Sequence, residues 1–339
     1  MTDDDVIWGR AIDTKRANAS TTKMATALVV ARAGSLETTV TVSPRAAATG
    51  GGGVDLSPGD HYTRRELLYA LLLSSSNDAA VALAEDVAGS EGAFVRAMNT
   101  LARDLDAEGS HFVTPHGLDV RGHYSTARDL ARIALAVLRS PLLARIVSST
   151  TAEITGSSGT VRLRNSNPLL ETYSGAIGVK TGFTSEAGDV LVGAAVRAGR
   201  RLVAVAMGSQ DAAEDARALL DYGFRVLGSS VLVREGAPVG AVVFDPSGAV
   251  GIVASRTITG YEGAGKVSIT FTPNGRLSPP LAGGETVGSV VITGNDGDFI
   301  ARAPAIASES FDGSKGGGIG GALGALLRVA SRLARGTAW

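Results

Sequence analysis

The sequence predicts an α+β chain: an antiparallel sheet carrying a helical subdomain, followed by a small all-β domain. Three observations predict it. Helix-start signals crowd residues 20–139, apolar strand patterns lie on either side of that block, and helix signals stop near Ser229. Strands before and after a helical block fold back into one sheet, and the junction of helices and sheet is the expected place for a site.

The elements follow in order. Val6–Ile12 reads as a short strand. Ser20 opens a helix through Met24, Leu28 and Val29 that ends at Gly34, a residue suited to the left-handed position after a helix. Leu36–Val42 is β-prone. Thr63-Arg64-Arg65-Glu66 is a capping box before the apolar run Leu67–Leu73. A further helix starts around Asn77–Ala80, which places Ser75-Ser76-Asn77 in an interhelical turn. Ser90–Asp106 and Thr126–Arg139 are also helical in pattern. Ala176–Thr184 reads as a strand, and Asp189–Arg197 with Arg201–Gly208 as a hairpin around Ala198-Gly199-Arg200. Asp211-Ala212-Ala213-Glu214 is a second capping box. Beyond it, Val239–Phe244, Val250–Ala254, Val267–Thr272 and Thr286–Ile292 are short strands punctuated by Gly, Pro and Asn295-Asp296-Gly297. The resulting divisions are 1–228, 229–308 and a glycine-rich tail, 309–339. In that tail Leu323, Leu326, Leu327, Ala330 and Leu333 recur at helical spacing, with Arg328, Arg332 and Arg335 together on one face. This predicts peripheral membrane contact through 319–339.

With 339 residues the chain can bury a full core, and its net charge of -1 argues against nucleic-acid binding. The absence of cysteine excludes disulfides, cysteine–zinc sites and thiol catalysis. No stretch of 18 apolar residues predicts a spanning helix, and the acidic start Met1–Asp5 is unlike a secretion signal.

Three short motifs carry chemistry: Ser20-Thr21-Thr22-Lys23, Ser75-Ser76-Asn77 and Lys180-Thr181-Gly182. They are spaced by 55 and then 105 residues. Two of only five lysines fall in them. Positions i and i+3 share a helix face, so Ser20 and Lys23 stand side by side. A serine hydroxyl needs a base within hydrogen-bond reach, and lysine is one only when burial and a second cation depress its pKa. Lys180 is the candidate for that cation. Ser75 can relay a proton to a leaving amine. Asn77 can both donate and accept, so it can hold Lys23 and a substrate amide. Thr181 offers a hydroxyl to a substrate carboxylate, and Gly182 lets a substrate backbone lie close to its strand.

Taken singly, Ser20 is a helix cap, Ser75 and Asn77 a polar loop, and Lys180-Thr181-Gly182 a strand entering a turn. Taken in order, they are the motif set of penicillin-binding proteins and serine β-lactamases. The chain resembles the D-alanyl-D-alanine carboxypeptidases, low-molecular-weight penicillin-binding proteins, from about Val6 to Ala305. The text around the motifs is similar too: Asn77-Asp78-Ala79-Ala80, Pro115-His116-Gly117-Leu118-Asp119, His123-Tyr124-Ser125-Thr126-Ala127, Leu220-Asp221-Tyr222-Gly223-Phe224 and Gly284-Glu285-Thr286-Val287-Gly288. The resemblance implies a β-lactamase/transpeptidase-like domain, Ser20 as the acylated nucleophile, Lys23 as base, and Ser75 and Asn77 completing the relay. It implies Lys180 and Thr181 as the carboxylate anchor, and the backbone N–H groups of Ser20 and Phe183 as the oxyanion hole. It further implies peptidoglycan stem peptides as substrate, β-lactams as inhibitors, an envelope location, and no cofactor or metal. Ser76 stands where the family more often has glycine. Only nineteen residues precede Ser20, fewer than the signal peptide and N-terminal hairpin usual in the family, so a trimmed start is expected.

Three other readings compete. A class A β-lactamase needs a deacylating glutamate in an E-x-x-x-N pattern, and none of Glu85, Glu91, Glu108, Glu153 and Glu171 has asparagine four positions on. A zinc peptidase could use His111, His116, His123 and Asp119, but the segment reads as a loop and structural histidines fit it better. A scaffold that binds penicillin or the cell wall without turnover is the non-enzymatic alternative.

Overall fold

The computed structural model describes residues 6–197, 199–228, 230–244, 248–260, 267–294 and 299–313. The predicted membrane-contact segment 319–339 lies outside them. The chain divides into two compact units, one of residues 2–196 and 201–224, the other of 197–200 and the residues from 225 on.

In the larger unit a short 3-10 turn, Ala19–Thr22, leads into α1 (Lys23–Arg32). Every residue from Lys23 to Val30 is buried, Lys23 and Thr26 included, so α1 is enclosed on all sides and forms the axis of the core. Strand β1 (Thr39–Thr41) pairs antiparallel with β2 (His61–Thr63), and the one-turn α2 (Pro44–Ala47) lies between them in sequence. The predicted capping box is formed: Thr63 Oγ1 accepts from the Glu66 N–H at 3.1 Å, and Glu66 Oε2 accepts from the Thr63 N–H at 2.8 Å. It opens α3 (Arg64–Leu73), whose Leu67, Leu68, Leu71, Leu72 and Leu73 are buried. After the Ser74–Ser76 turn come α4 (Asn77–Ala88), α5 (Glu91–Asp104), α6 (Ala127–Arg139) and α7 (Pro141–Ser148), each with a serine or threonine at its N-cap for which α4 uses Ser76. A hairpin of β3 (Thr151–Gly156) and β4 (Gly159–Arg164) and the short α8 (Leu169–Thr172) precede the central sheet.

That sheet is β5 (Ala176–Thr184), β6 (Gly188–Arg197) and β7 (Arg200–Ser209), in that order. The register pairs Lys180 with Val192, Thr181 with Leu191, Gly182 with Val190 and Phe183 with Asp189. Helix α9 (Ala212–Val226) follows, capped by Asp211, whose Oδ1 accepts from the Glu214 N–H at 3.0 Å.

The smaller unit is all-β among its described residues from 230 on. Its strands are β8 (Ser230–Val233), β9 (Pro238–Phe244), β10 (Gly248–Ala254), β11 (Ile258–Gly260), β12 (Ser268–Pro273), β13 (Thr286–Thr293) and β14 (Phe299–Ala307). Five of them form one antiparallel sheet in the order β12-β13-β14-β10-β9, and β11 pairs with β8. Val250, Ile252, Val290, Ile292, Ala303 and Ala305 build its core.

Two expectations are corrected. Val6–Ile12 is not a strand: it is bent, and Ala11 has a left-handed φ of 54°. Its backbone bonds serve the start of α6 instead. The Ile12 carbonyl accepts from Arg128 N–H, and Arg16 and Ser125 exchange backbone bonds of 2.9 and 3.0 Å. The helix predicted to open at Ser20 opens at Lys23, because Ser20 belongs to the tighter 3-10 turn.

Candidate active site

The site is assembled at the N-terminal end of α1. Ala19, just before the candidate nucleophile, has a φ of 46°, and Ser75, the first residue of the second motif, has a φ of 59°. Left-handed backbone is costly for residues with a side chain and survives where surroundings over-determine it. Both strained residues sit at motif serines.

Lys23 is buried completely and its terminal nitrogen has three partners. Nζ lies 2.8 Å from Ser20 Oγ, 2.7 Å from Asn77 Oδ1 and 2.8 Å from the His116 carbonyl oxygen. Asn77 is oriented in turn: its Nδ2 donates to the Gly50 carbonyl at 2.9 Å, and its N–H donates to the Gly52 carbonyl at 3.0 Å. The 50–53 glycine run is therefore a strap over the second motif. Asp78 ties down the chain just beyond the strap. It accepts from Leu56 N–H at 3.0 Å and from Ala79 N–H at 2.9 Å, and it also bonds the Ser76 hydroxyl. The Ser75 hydroxyl takes none of the three Lys23 contacts.

Strand β5 closes the other side. A Cβ on Gly182 would stand 2.9 Å from Ser20 N, 3.0 Å from Ala19 Cβ and 3.2 Å from Thr21 N. Only glycine lets the strand lie this close to the nucleophile turn. Phe183 follows with an exposed ring. Lys180 is also buried; its Nζ donates to the Thr181 carbonyl at 3.0 Å. Thr181 Oγ1 lies 2.6 Å from Ser166 Oγ.

The third wall is the 111–124 loop. Gly117 has a φ of 90°, and a side chain there would run into the Ala19 carbonyl. This close approach delivers the His116 carbonyl to Lys23. His123 Nδ1 accepts from Val113 N–H at 3.1 Å, which leaves Nε2–H to donate to Thr22 Oγ1 at 2.8 Å. His116 Nδ1 accepts from Leu118 N–H at 3.1 Å. Asp119 Oδ2 accepts from Glu186 N–H at 3.3 Å and so links this loop to the β5–β6 turn. These two histidines brace the site, and the lone pairs of their Nδ1 atoms are spent on backbone.

The charges follow from burial. Desolvation first, then the Lys180 charge, pull the Lys23 pKa far below that of a free lysine, while Asp78 opposes them. Burial pulls Lys180 down to about 7. Burial holds His116 at about 4, with Lys23 adding to it, and His123 at about 4, with His111 adding to it. Both imidazoles are neutral at pH 7.

Of the predicted residues, Ser20, Lys23 and Asn77 are in direct contact, Gly182 packs on the nucleophile turn, and Lys180 acts on Lys23 through its charge. Ser166, the glycine strap and Asp78 were not predicted as site residues. The strap shows in sequence only as a glycine run, and Ser166 only as the centre of the turn Asn165-Ser166-Asn167. Four of the glutamates weighed as deacylating bases are engaged elsewhere: Glu85 with Ser43, Glu91 with Arg45, Glu153 with Arg162 and Glu171 with Arg164.

A serine beside a buried lysine, with an asparagine and a Lys-Thr-Gly strand around them, is an arrangement suited to acyl transfer through the serine, on an α+β scaffold. Comparison with known proteins places it more closely. The profile of the D-alanyl-D-alanine carboxypeptidase peptidase family matches residues 2–211. The chain is 30% identical over 319 residues to the D-alanyl-D-alanine carboxypeptidase DacF of Bacillus subtilis, covering 90% of this chain and 82% of that protein. The crystal structure of the D-alanyl-D-alanine carboxypeptidase DacD from Francisella tularensis superposes with a TM-score of 0.63 at 25% identity, over 91% of each chain. The Streptomyces K15 DD-transpeptidase superposes with a TM-score of 0.61 at 34% identity, covering 65% of this chain and 92% of that one. The chain belongs to the D-alanyl-D-alanine carboxypeptidase family.

Proposed function

We propose that the chain is a serine D-Ala-D-Ala carboxypeptidase that removes the terminal D-alanine from peptidoglycan stem pentapeptides in the cell envelope. One observation carries the reading: the three partners of Lys23. Asn77 Oδ1 and the His116 carbonyl can only accept. A neutral Lys23 gives its two N–H groups to them, and its lone pair is then left facing Ser20 Oγ. This supports the reading of Ser20 as the group from which Lys23 takes a proton.

The steps follow. Ser20 Oγ attacks the carbonyl carbon of the scissile amide and its proton passes to Lys23 Nζ. The oxyanion faces the N–H groups of Ser20 and Phe183. The C–N bond breaks as the leaving amine of the terminal D-alanine takes the proton that Lys23 gives up; Ser75, which does not touch Lys23 Nζ in the free site, relays it once substrate lies between them. Water then hydrolyses the ester on Ser20, with Lys23 again as base. Lys180 and Thr181 hold the terminal carboxylate, and Asn77 steadies the acyl-side amide. A β-lactam enters the same steps, its ring amide standing for the scissile bond.

Intact mass after incubation with penicillin, together with D-alanine release from an acyl-D-Ala-D-Ala peptide, tests this. The parent is expected to show both the adduct and release, and Ser20→Ala neither, while remaining folded. An adduct at full occupancy in Ser20→Ala refutes the nucleophile. An adduct in the parent without D-alanine release reduces the protein to a penicillin-binding scaffold. Rapid loss of the adduct as hydrolysed penicillin makes it a β-lactamase.

A further inference from the structure

Ser166 lies outside the three motifs, yet it is built into the site. Its N–H donates to the carbonyl of Leu73, the last residue of α3, at 3.1 Å. The residues on either side are pinned. Asn165 Nδ2 donates to the carbonyls of Val147 and Ser149 at 3.2 and 2.9 Å. Asn167 N–H donates to Asn165 Oδ1 at 3.0 Å, and Asn167 Oδ1 accepts from Leu169 N–H at 3.1 Å. The fixed turn presents the exposed Ser166 Oγ 2.6 Å from Thr181 Oγ1.

A hydroxyl has one proton, and a carboxylate has only lone pairs. When Thr181 donates to a substrate carboxylate its proton is committed, so the Ser166–Thr181 contact persists only with Ser166 as donor. With the opposite direction, Thr181 would turn a lone pair to the carboxylate and repel it. We propose that Ser166 is a specificity-determining residue, which donates to Thr181 Oγ1 and so commits the Thr181 proton to the substrate's terminal carboxylate. This rests on the reading of Thr181 as a carboxylate anchor. Donors in series polarise one another, so the chain from Ser166 through Thr181 to a carboxylate is stronger than Thr181 alone. A C-terminal amide, which carries donors of its own at that position, gains less.

The test measures kcat and KM for an acyl-D-Ala-D-Ala peptide and its C-terminal amide, in the parent, Ser166→Ala, Ser166→Thr and Thr181→Val. Ser166→Ala should raise KM for the free acid by about 5- to 10-fold, leave kcat within about twofold, and shrink the preference for acid over amide. Ser166→Thr should restore the preference, since it restores the hydroxyl. An unchanged KM in Ser166→Ala, or an equal loss on acid and amide, overturns the proposal. Thr181→Val with a parental preference overturns the carboxylate anchor itself. Thr181→Val without the preference, alongside Ser166→Ala with it, overturns the role of Ser166 alone.

Discussion

Gly182→Ala is the most direct probe of how closely β5 must approach the nucleophile. The added methyl would stand 2.9 Å from Ser20 N, 3.0 Å from Ala19 Cβ and 3.2 Å from Thr21 N. Ordinary contacts begin near 3.5 Å, so the strand and the nucleophile turn must separate by about half an ångström. The obstructing atoms are backbone atoms and a Cβ, so no side-chain rotation relieves them. Overpacking of this kind costs about 1–3 kcal/mol. At roughly 2–4 °C per kcal/mol, the melting temperature should fall by about 2–12 °C. The catalytic effect should be larger in proportion. A reacting group displaced by about 1 Å loses on the order of 100-fold, so half that displacement, shared by Ser20 Oγ and the Ser20 N–H, predicts a 10- to 100-fold loss. The assay is the second-order rate of penicillin acylation by mass spectrometry, beside a thermal melt. A variant that acylates within about twofold of the parent and melts at the parental temperature would refute the close approach as a requirement.

Two further expectations concern pH. Lys23 must be neutral to act as base and Lys180 charged to hold a carboxylate. The acylation rate should therefore rise as pH passes the depressed Lys23 pKa and fall above about 7, where free-enzyme Lys180 loses its proton. Lys180→Arg should remove the alkaline fall, because arginine stays protonated; an alkaline limb unchanged in that variant would reassign it. The second expectation is acid sensitivity of the fold. His116 and His123 sit at about 4 when folded against an ordinary 6.5, so the unfolded chain takes up protons first as pH falls. Their contribution, about 3 kcal/mol each, is intact above pH 6.5, is lost between 6.5 and 4, and is gone below 4. Thermal melts across that range should steepen accordingly, and His123→Asn should flatten part of the slope. A melting temperature constant from pH 7 to 4.5 would contradict the buried neutral imidazoles.

What the sequence determined by itself was whatever neighbouring residues settle among themselves. The Thr63–Glu66 capping box, the Ser20–Lys23 spacing and the apolar runs of β6 and β7 around their short turn each depend on groups a few residues apart. Their hydrogen bonds and periodicities are written in order along the chain. The Val6–Ile12 segment failed for the complementary reason: its apolar residues fit a strand, but its backbone partners lie on the start of α6, more than a hundred residues away. The Asn77 contact with Lys23, 54 positions away, was read from the motif set, but the rest of what surrounds Lys23 was decided by tertiary structure alone. The His116 carbonyl is 93 positions away, and a backbone carbonyl leaves no trace in residue identity. The depressed pKa of Lys23 was foreseeable as a requirement but is produced by burial, which no local pattern specifies. Ser166 was illegible for the same reason. Its hydroxyl matters only because the pinned turn and β5, 15 residues further on, bring it to Thr181.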